Sequence, residues 1–353
     1  MWKRVKVLDY LSIVFKMSLP CTSTYFDSPD FVSSVSHLIT VVSTPTHIIG
    51  LYCIIMKTPD EMKSVKLYLL NLHFWIILFD YTFGILTIPF LLVPQLAGYP
   101  LGLLRYVGVP TFYQIMIVMI LFNNSATSIV AVYENRFHTL CNFSWMKTWR
   151  KWRSLWLVFY TLLTFSLLIP WSFCVPEQTT AIPYVLKKLP CLPDYVVKAD
   201  NFVLSLDYTY HLVACSIIIA IAFIKIAFFV LCLMINTAKQ LKAKTMSQKT
   251  FRLQKKFFIA LVIQLEVPIL TFCIPVFYCF VAILANYYNQ ALTNFVVISV
   301  SMHGIVSTIV MISVHRPYRQ AVFGVYKKPK VESREASMKE YIAKRNSLAP
   351  VHH

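Results

Sequence analysis

The chain has 353 residues, of which 58% are hydrophobic and 14% charged, with a formal charge of +18. Soluble domains run at about 45–50% and about 25%, and here the few charges stand between long apolar runs, which excludes one large soluble core and indicates a polytopic membrane protein. The basic excess sits in short loops and in the tail, so it speaks of membrane orientation rather than of nucleic acid.

Residues 1–16 are basic and partly apolar, with the apolar part broken by Asp9. They read either as a signal peptide or as an extension ahead of a start at Met17. Residues 17–31 are polar and contain Cys21. A first span is expected over 32–56, kinked by Pro45. A short basic loop leads to a second span over 67–93, which carries Asn71, His73 and Asp80. Residues 94–110 form a glycine-containing loop.

The third span organises the rest. From Thr111 to Arg136 the chain is long enough to cross a bilayer at about 1.5 Å of rise per residue. Near its middle it is unusually polar. Asn124, Thr127, Ser128, Ala131 and Asn135 recur at three- and four-residue steps and so share one helix face. Small and hydrogen-bonding residues of this kind pack against other helices rather than lipid. We read it as the central helix of a bundle, ending in Glu134-Asn135-Arg136 where membrane meets water.

A basic, tryptophan-rich stretch over 135–153 suits the headgroup layer. Further spans are expected over 154–175, 208–235, 257–284 and 293–314, with the longest loop, 176–207, after the fourth. An amphipathic helix over 315–328 would lie on the inner leaflet, with Tyr318, Val322, Phe323 and Tyr326 on one face. A disordered tail would follow over 329–353. The expected fold class is therefore an all-α membrane protein, a seven-helix bundle. The loops after spans one, three and five together with the tail hold 24 lysines and arginines, against 4 in the loops after spans two, four and six. That asymmetry puts the C-terminus in the cytoplasm and the N-terminus outside.

Several side chains stand out against this frame. Cys21 and Cys191 are the two cysteines in expected outer segments, where the milieu is oxidising, and a disulfide between them would pin the N-terminal segment to the long loop; the alternative is two free thiols. Asp80, mid-span, is expensive to bury and is normally paired or functional. Asn124 and Ser128, or His303 and Ser307 on the seventh span, are its expected partners, with Asn71 in the same polar network; the alternative is a neutral packing carboxyl. Lys225 and Glu266 both sit roughly 14 Å from the inner ends of their spans at about 1.5 Å per residue. An ion pair between them, beside a hinge at Pro268 and Pro275, is one reading, and separate partners the other. Glu134, Asn135 and Arg136 are either interfacial anchors or a latch at a cytoplasmic partner site, flanked by Lys249, Arg252, Lys255 and Lys256. By depth alone, Tyr113, Gln114, Tyr208, His211 and Tyr278 are expected to line a ligand pocket. The histidines show no metal-binding spacing, and no nucleophile elbow or phosphate loop is present. No enzyme and no cofactor is expected.

YFDSP (25–29), LYCIIMKTPDEMKSVK (51–66), ENRFHTL (134–140), LPCLP (189–193), QKTFRLQKKFFIALVIQLEVP (248–268), YYNQALTN (287–294) and HGIVSTIVMISVHRPYR (303–319), with residues 69–104, resemble the nematode serpentine receptors of class H. The resemblance covers roughly residues 20–325. It implies a seven-helix chemoreceptor of the G-protein-coupled type in the plasma membrane of a sensory neuron, often in its cilium. It also implies detection of an environmental small molecule and coupling to a heterotrimeric G protein through the inner loops. Glu134-Asn135-Arg136 stands where rhodopsin-like receptors carry Asp/Glu-Arg-Tyr, but with an asparagine between acid and base, and the seventh span ends in His-Arg-Pro-Tyr-Arg rather than Asn-Pro-x-x-Tyr. The outer end of the third span also lacks the cysteine that such receptors bridge to the following loop. The rival reading is a ligand-gated channel or transporter of the same membrane. Repeated halves, discontinuous helices or charge rings would support it, and none is evident.

Overall fold

A computed structural model describes residues 24–190, 192–243, 259–260 and 262–324. Cys21, Cys191 and their expected bridge lie outside the described residues, as do Lys249, Arg252, Lys255, Lys256, Tyr326, the segment 1–16 and the tail 329–353.

The architecture is an all-α bundle of membrane-crossing helices. Pro29–Met56, Lys63–Thr87, Thr111–Leu140, Met146–Phe173, Thr209–Gln240 and Val262–Leu284 are each long and apolar enough to span a bilayer. Gln290–Ser301 and His303–Val314 together make the seventh span, bent by 41° at the break. Large apolar side chains such as Leu38, Val41, Phe159, Leu162, Ile224 and Phe277 are exposed around the bundle. In a soluble protein such a belt would be a liability; here it is the surface that lipid covers.

Local chemistry sets the helix starts. Ser28 caps the first span by accepting a hydrogen bond from the Phe31 N–H at 3.1 Å, with Pro29 in the first turn where its missing N–H costs nothing. Asn289 caps the seventh in the same way through the Leu292 N–H at 3.0 Å. The first helix runs on through Pro45 to Met56.

Apolar runs in the sequence hide a sheet at one end of the bundle. The second span does not continue to residue 93. Its α-helix stops at Tyr81, widens to a π-helical turn over Thr82–Thr87, and breaks at Ile88, whose φ is 39°. Strand β1 (Pro89–Leu91) then pairs antiparallel with β2 (Leu96–Pro100), and β2 with β3 (Phe202–Ser205). The expected loop 176–207 is thus structured, with a helix over Gln178–Lys188 and a turn over Asp194–Val197 before β3. The Gln178 amide closes the free edge of β3: its Nε2 donates to the Val203 carbonyl at 2.9 Å and its Oε1 accepts from the Val203 N–H at 2.8 Å.

At the opposite end the fourth helix begins at Met146, so the tryptophan-rich stretch belongs to the helix rather than to a loop. The fifth span continues to Lys242. After the seventh span a short helix, Arg316–Phe323, ends at Gly324, whose φ of 59° is a left-handed cap that glycine adopts at little cost. Tyr318 is buried there, while Val322 and Phe323 stay exposed.

Candidate functional site

A cavity of about 360 Å³ lies at the sheet end of the bundle. Span three contributes Gln114, Val118 and Phe122, span five His211 and Ile218, and span six Phe272, while all three strands wall its end. The inner floor is aromatic. Phe79, Phe122 and Phe272 have ring centroids 5.0 to 6.4 Å apart in edge-on and tilted contacts. At the sheet end, Trp171 and His211 rings lie 4.7 Å apart. Trp171 reaches the site because span four tightens into a 3-10 turn over Ile169–Phe173.

Of the five pocket residues expected by depth, only Gln114 and His211 line this cavity. Tyr113 is exposed on the outside of its helix, and Tyr208 is exposed just ahead of the fifth span. Tyr278 packs in a separate cluster with Val93, Ala282 and Ile283. Depth fixes a level in the membrane but not the angle around a helix axis. Phe272, Phe122 and Trp171 were missed because an aromatic in a span reads as ordinary apolar packing.

A polar node lies deeper. Asp80, 5% exposed, is paired with His47 of span one: Oδ2 and Nε2 are 3.0 Å apart. The expected partners Asn124, Ser128, His303 and Ser307 do not fill that role. A second link comes from span seven, where Gly304 packs so closely on the Asp80 carboxyl that any side chain at 304 would overlap it. His47 Nδ1 is 3.4 Å from the Thr308 hydroxyl, and His73 Nε2 is 3.1 Å from the His47 carbonyl oxygen. Spans one, two and seven are thus tied at one point. A histidine in an apolar span opposite a lone aspartate was the signal available for His47. Asn71 does meet Ser128, donating at 2.8 Å. Asn124 instead bonds the Ile120 carbonyl of its own helix, and it is the neighbouring Asn123 that is buried, donating to Thr164 at 3.1 Å. His303 Nδ1 meets the Thr271 hydroxyl at 2.9 Å, and Ser307 lines a small cavity of about 50 Å³ nearby.

Lys225 and Glu266 do not pair. The Lys225 ammonium lies over the Tyr160 ring at 3.7 Å and the Trp156 ring at 4.4 Å, both on span four. A cation over an aromatic face is held by the ring quadrupole, and that contact points Lys225 away from span six. Glu266 is exposed on its own helix. The two prolines of span six flank an irregular stretch: a π-helical segment over Ile269–Cys273 begins after Pro268 and ends ahead of Pro275. Phe272 lies in that segment, with its ring 4.4 Å from that of His303.

Glu134, Asn135 and Arg136 are all buried at the far end. Glu134 is held by span four. Its Oε2 accepts from Arg153 Nη2 at 2.6 Å, and its Oε1 from Arg153 Nε at 3.1 Å and Trp149 Nε1 at 2.9 Å. This bidentate, charge-assisted arrangement is the strong form of the contact. Arg153 also donates to the Tyr68 hydroxyl at 2.9 Å, joining span two. Asn135 donates to the Ser64 carbonyl at 3.1 Å. Trp149 and Arg153 are one helical turn apart, a spacing that puts both on one face; read as a headgroup ring and a basic loop charge, they gave no hint of an acid between them. Near Arg136, His315 Nε2 accepts from Gln264 Nε2 at 3.3 Å, and its ring meets that of Tyr318 edge-on at 5.4 Å. Burial, reinforced by the Arg136 charge, lowers the His315 pKa to about 4. Burial raises that of the Tyr318 hydroxyl, which shares a 2.7 Å hydrogen bond with Thr58.

Among the described residues no group of three histidine, cysteine or acidic side chains is placed to hold a metal ion.

Comparison with known proteins adds two findings. Residues 27–328 match the family model described as serpentine type 7TM GPCR chemoreceptor Srh. The chain is also 26% identical over 326 residues to serpentine receptor class H-72 of Caenorhabditis elegans, covering 91% of this chain and 93% of that one.

Proposed function

The chain belongs to the Srh family of serpentine seven-transmembrane chemoreceptors, and from that premise we propose that it binds an environmental small molecule in the cavity at the sheet end and activates a heterotrimeric G protein at the opposite end. The sheet end faces outward and the basic loops face the cytoplasm, in the plasma membrane of a sensory neuron and its cilium. The observation that carries this reading is the cavity's contact with Phe272. That residue lies in the π-helical stretch of span six and touches His303 of span seven.

π-helical segments inside α-helices recur at functional sites, because one extra residue per turn leaves the ladder of hydrogen bonds irregular. A ligand resting on Phe272 favours whichever arrangement of span six accommodates it. Its effect on signalling is the difference in its affinity for the two arrangements. Movement of span six between Pro268 and Pro275 swings its inner half. The basic residues Lys249, Arg252, Lys255 and Lys256 of the sequence after span five are the contact for the G protein, and Glu134–Arg153 holds spans three and four in the resting arrangement.

The test is co-expression with a G protein, a panel of small molecules, and paired readouts of nucleotide exchange and membrane current or uptake. Ligand-dependent exchange that is lost in Phe272→Ala, with surface expression retained, is the expected result. Current or uptake without exchange would replace this reading with a channel or transporter.

A further inference from the structure

The inner surface of the cavity specifies a ligand chemistry. None of its lining side chains is a lysine, arginine, aspartate or glutamate. An ion entering it would lose its water without gaining a counter-charge, which costs far more than apolar contact returns. The polar groups that face it are few, and several lack partners. Gln114 is buried, and its Nε2 donates to the Val109 carbonyl at 2.7 Å, yet its Oε1 has no donor. Trp171 Nε1 is buried without an acceptor. Both ring nitrogens of His211 are buried without a hydrogen bond; the Asp207 carbonyl lies toward the ring but makes no bond of ordinary geometry. A buried polar group left unpaired forfeits its hydration without a return. Asn123, whose Oδ1 also lacks a donor, lines the same cavity deeper along span three, so four such groups on three helices surround it; unpaired polar groups gathered in this way are a recurring sign of a site built for something that completes them.

The spacing gives the ligand a direction. Gln114 and His211 each lie in the first turn of a span at the sheet end, and Trp171 is against His211. Phe79, Phe122 and Phe272 floor the other end. A volume of about 360 Å³ lies toward the lower end of the range of small-molecule pockets.

We propose that the cavity takes a neutral, mostly apolar molecule of that size carrying one hydroxyl, which donates to Gln114 Oε1 and accepts from Trp171 Nε1 or His211, with its apolar body on the three phenylalanines. The proposal rests on the cavity being the receptor's ligand site. A carboxylate is refused by Gln114 Oε1, an acceptor facing an acceptor, and an ammonium by the Trp171 N–H.

The experiment uses the purified full-length chain in nanodiscs and reads its melting temperature without a G protein. The probes are matched series on several apolar bodies: 4-phenylbutanol, 4-phenylbutyrate, 4-phenylbutylamine and butylbenzene, and the octyl and cyclohexylpropyl counterparts. At least one alcohol is expected to stabilise the protein, and to bind at least tenfold more tightly than its ionised counterparts. Its advantage over the matching hydrocarbon is expected to be lost when His211→Phe and Trp171→Phe are combined, while the ionised members stay excluded; an equal affinity of alcohol and hydrocarbon for the parent would overturn the hydroxyl site. Ligand-free His211→Phe is expected to melt no lower than the parent, because the ring it replaces makes no hydrogen bond. Stabilisation by the ionised members over the alcohols, no stabilisation by any member, or a lower melting point of ligand-free His211→Phe would each overturn the assignment. Alcohol binding without nucleotide exchange would instead overturn the signalling role and leave the site intact.

Discussion

Asp80 shows how far a single residue can be read. Its place in the middle of an apolar span announced a partner, and a partner exists, but the His47 that supplies it sits on a span whose polar residues gave no pairing pattern. Removing His47 leaves a buried carboxyl alone. His47→Leu is therefore expected to destabilise the receptor by about 3–5 kcal/mol, the usual cost of breaking a buried pair from one side. Adding Asp80→Asn to that background should recover part of the loss, read as melting temperature and surface yield; no recovery would mean that His47 acts through packing alone. His315 gives a pH dependence. Its pKa of about 4 in the folded protein lies below the ordinary value near 6.5. Between those values the unfolded chain binds the proton and the folded one does not, so stability falls as pH drops from about 6.5 toward 4. His315→Gln should flatten that part of the melting-temperature profile, and an unchanged slope would remove His315 as its source.

Whole elements were legible where hydropathy alone decides, and less so where pairing does. The spans stand out as long apolar runs. The sheet does not, because Phe90 and Leu91 look like the end of a helix until Tyr99 and Gly98 are seen opposite them, and Val203 opposite Ala97 beyond. Pairing across helices is equally invisible: equal depth suggested Lys225 with Glu266, yet rotation about the helix axis turned the lysine onto Trp156 and Tyr160. The clasp of span four on span three is a product of the same hidden geometry. Arg153→Met removes both charge-assisted contacts to Glu134 while keeping an apolar stem. On the proposed mechanism it should raise ligand-independent nucleotide exchange several-fold. Glu134→Gln should do likewise, and the double variant should add little. Exchange at or below the parental level in both would assign the clasp to folding rather than restraint.

At the scale of the molecule, the order of spans and the side on which positive charge gathers were readable from residue counts. The position of the cavity was not, since it depends on which face each helix turns inward. The orientation has a direct test. An epitope fused after His353 should stain only in permeabilised cells, and one placed in the 198–201 turn should stain in intact cells; the reverse pattern would invert the proposed receptor. The hydrogen bonds across the bundle are unevenly shared. Spans one, two and seven meet at Asp80, spans two, three and four at Arg153, and span five is held by Asn236, which donates to the Leu140 carbonyl at 2.9 Å. Among the described residues, the side-chain bonds from span six to other helices are Thr271 to His303 and Gln264 to His315, both near the seventh. Over its described residues span six is thus pinned on the side of the seventh, like a door with its pins in a single jamb. Deuterium should therefore enter the backbone around Ile269–Cys273 ahead of the cores of the other helices, and the sensor's slack would be concentrated in a strip of chain that lines its cavity.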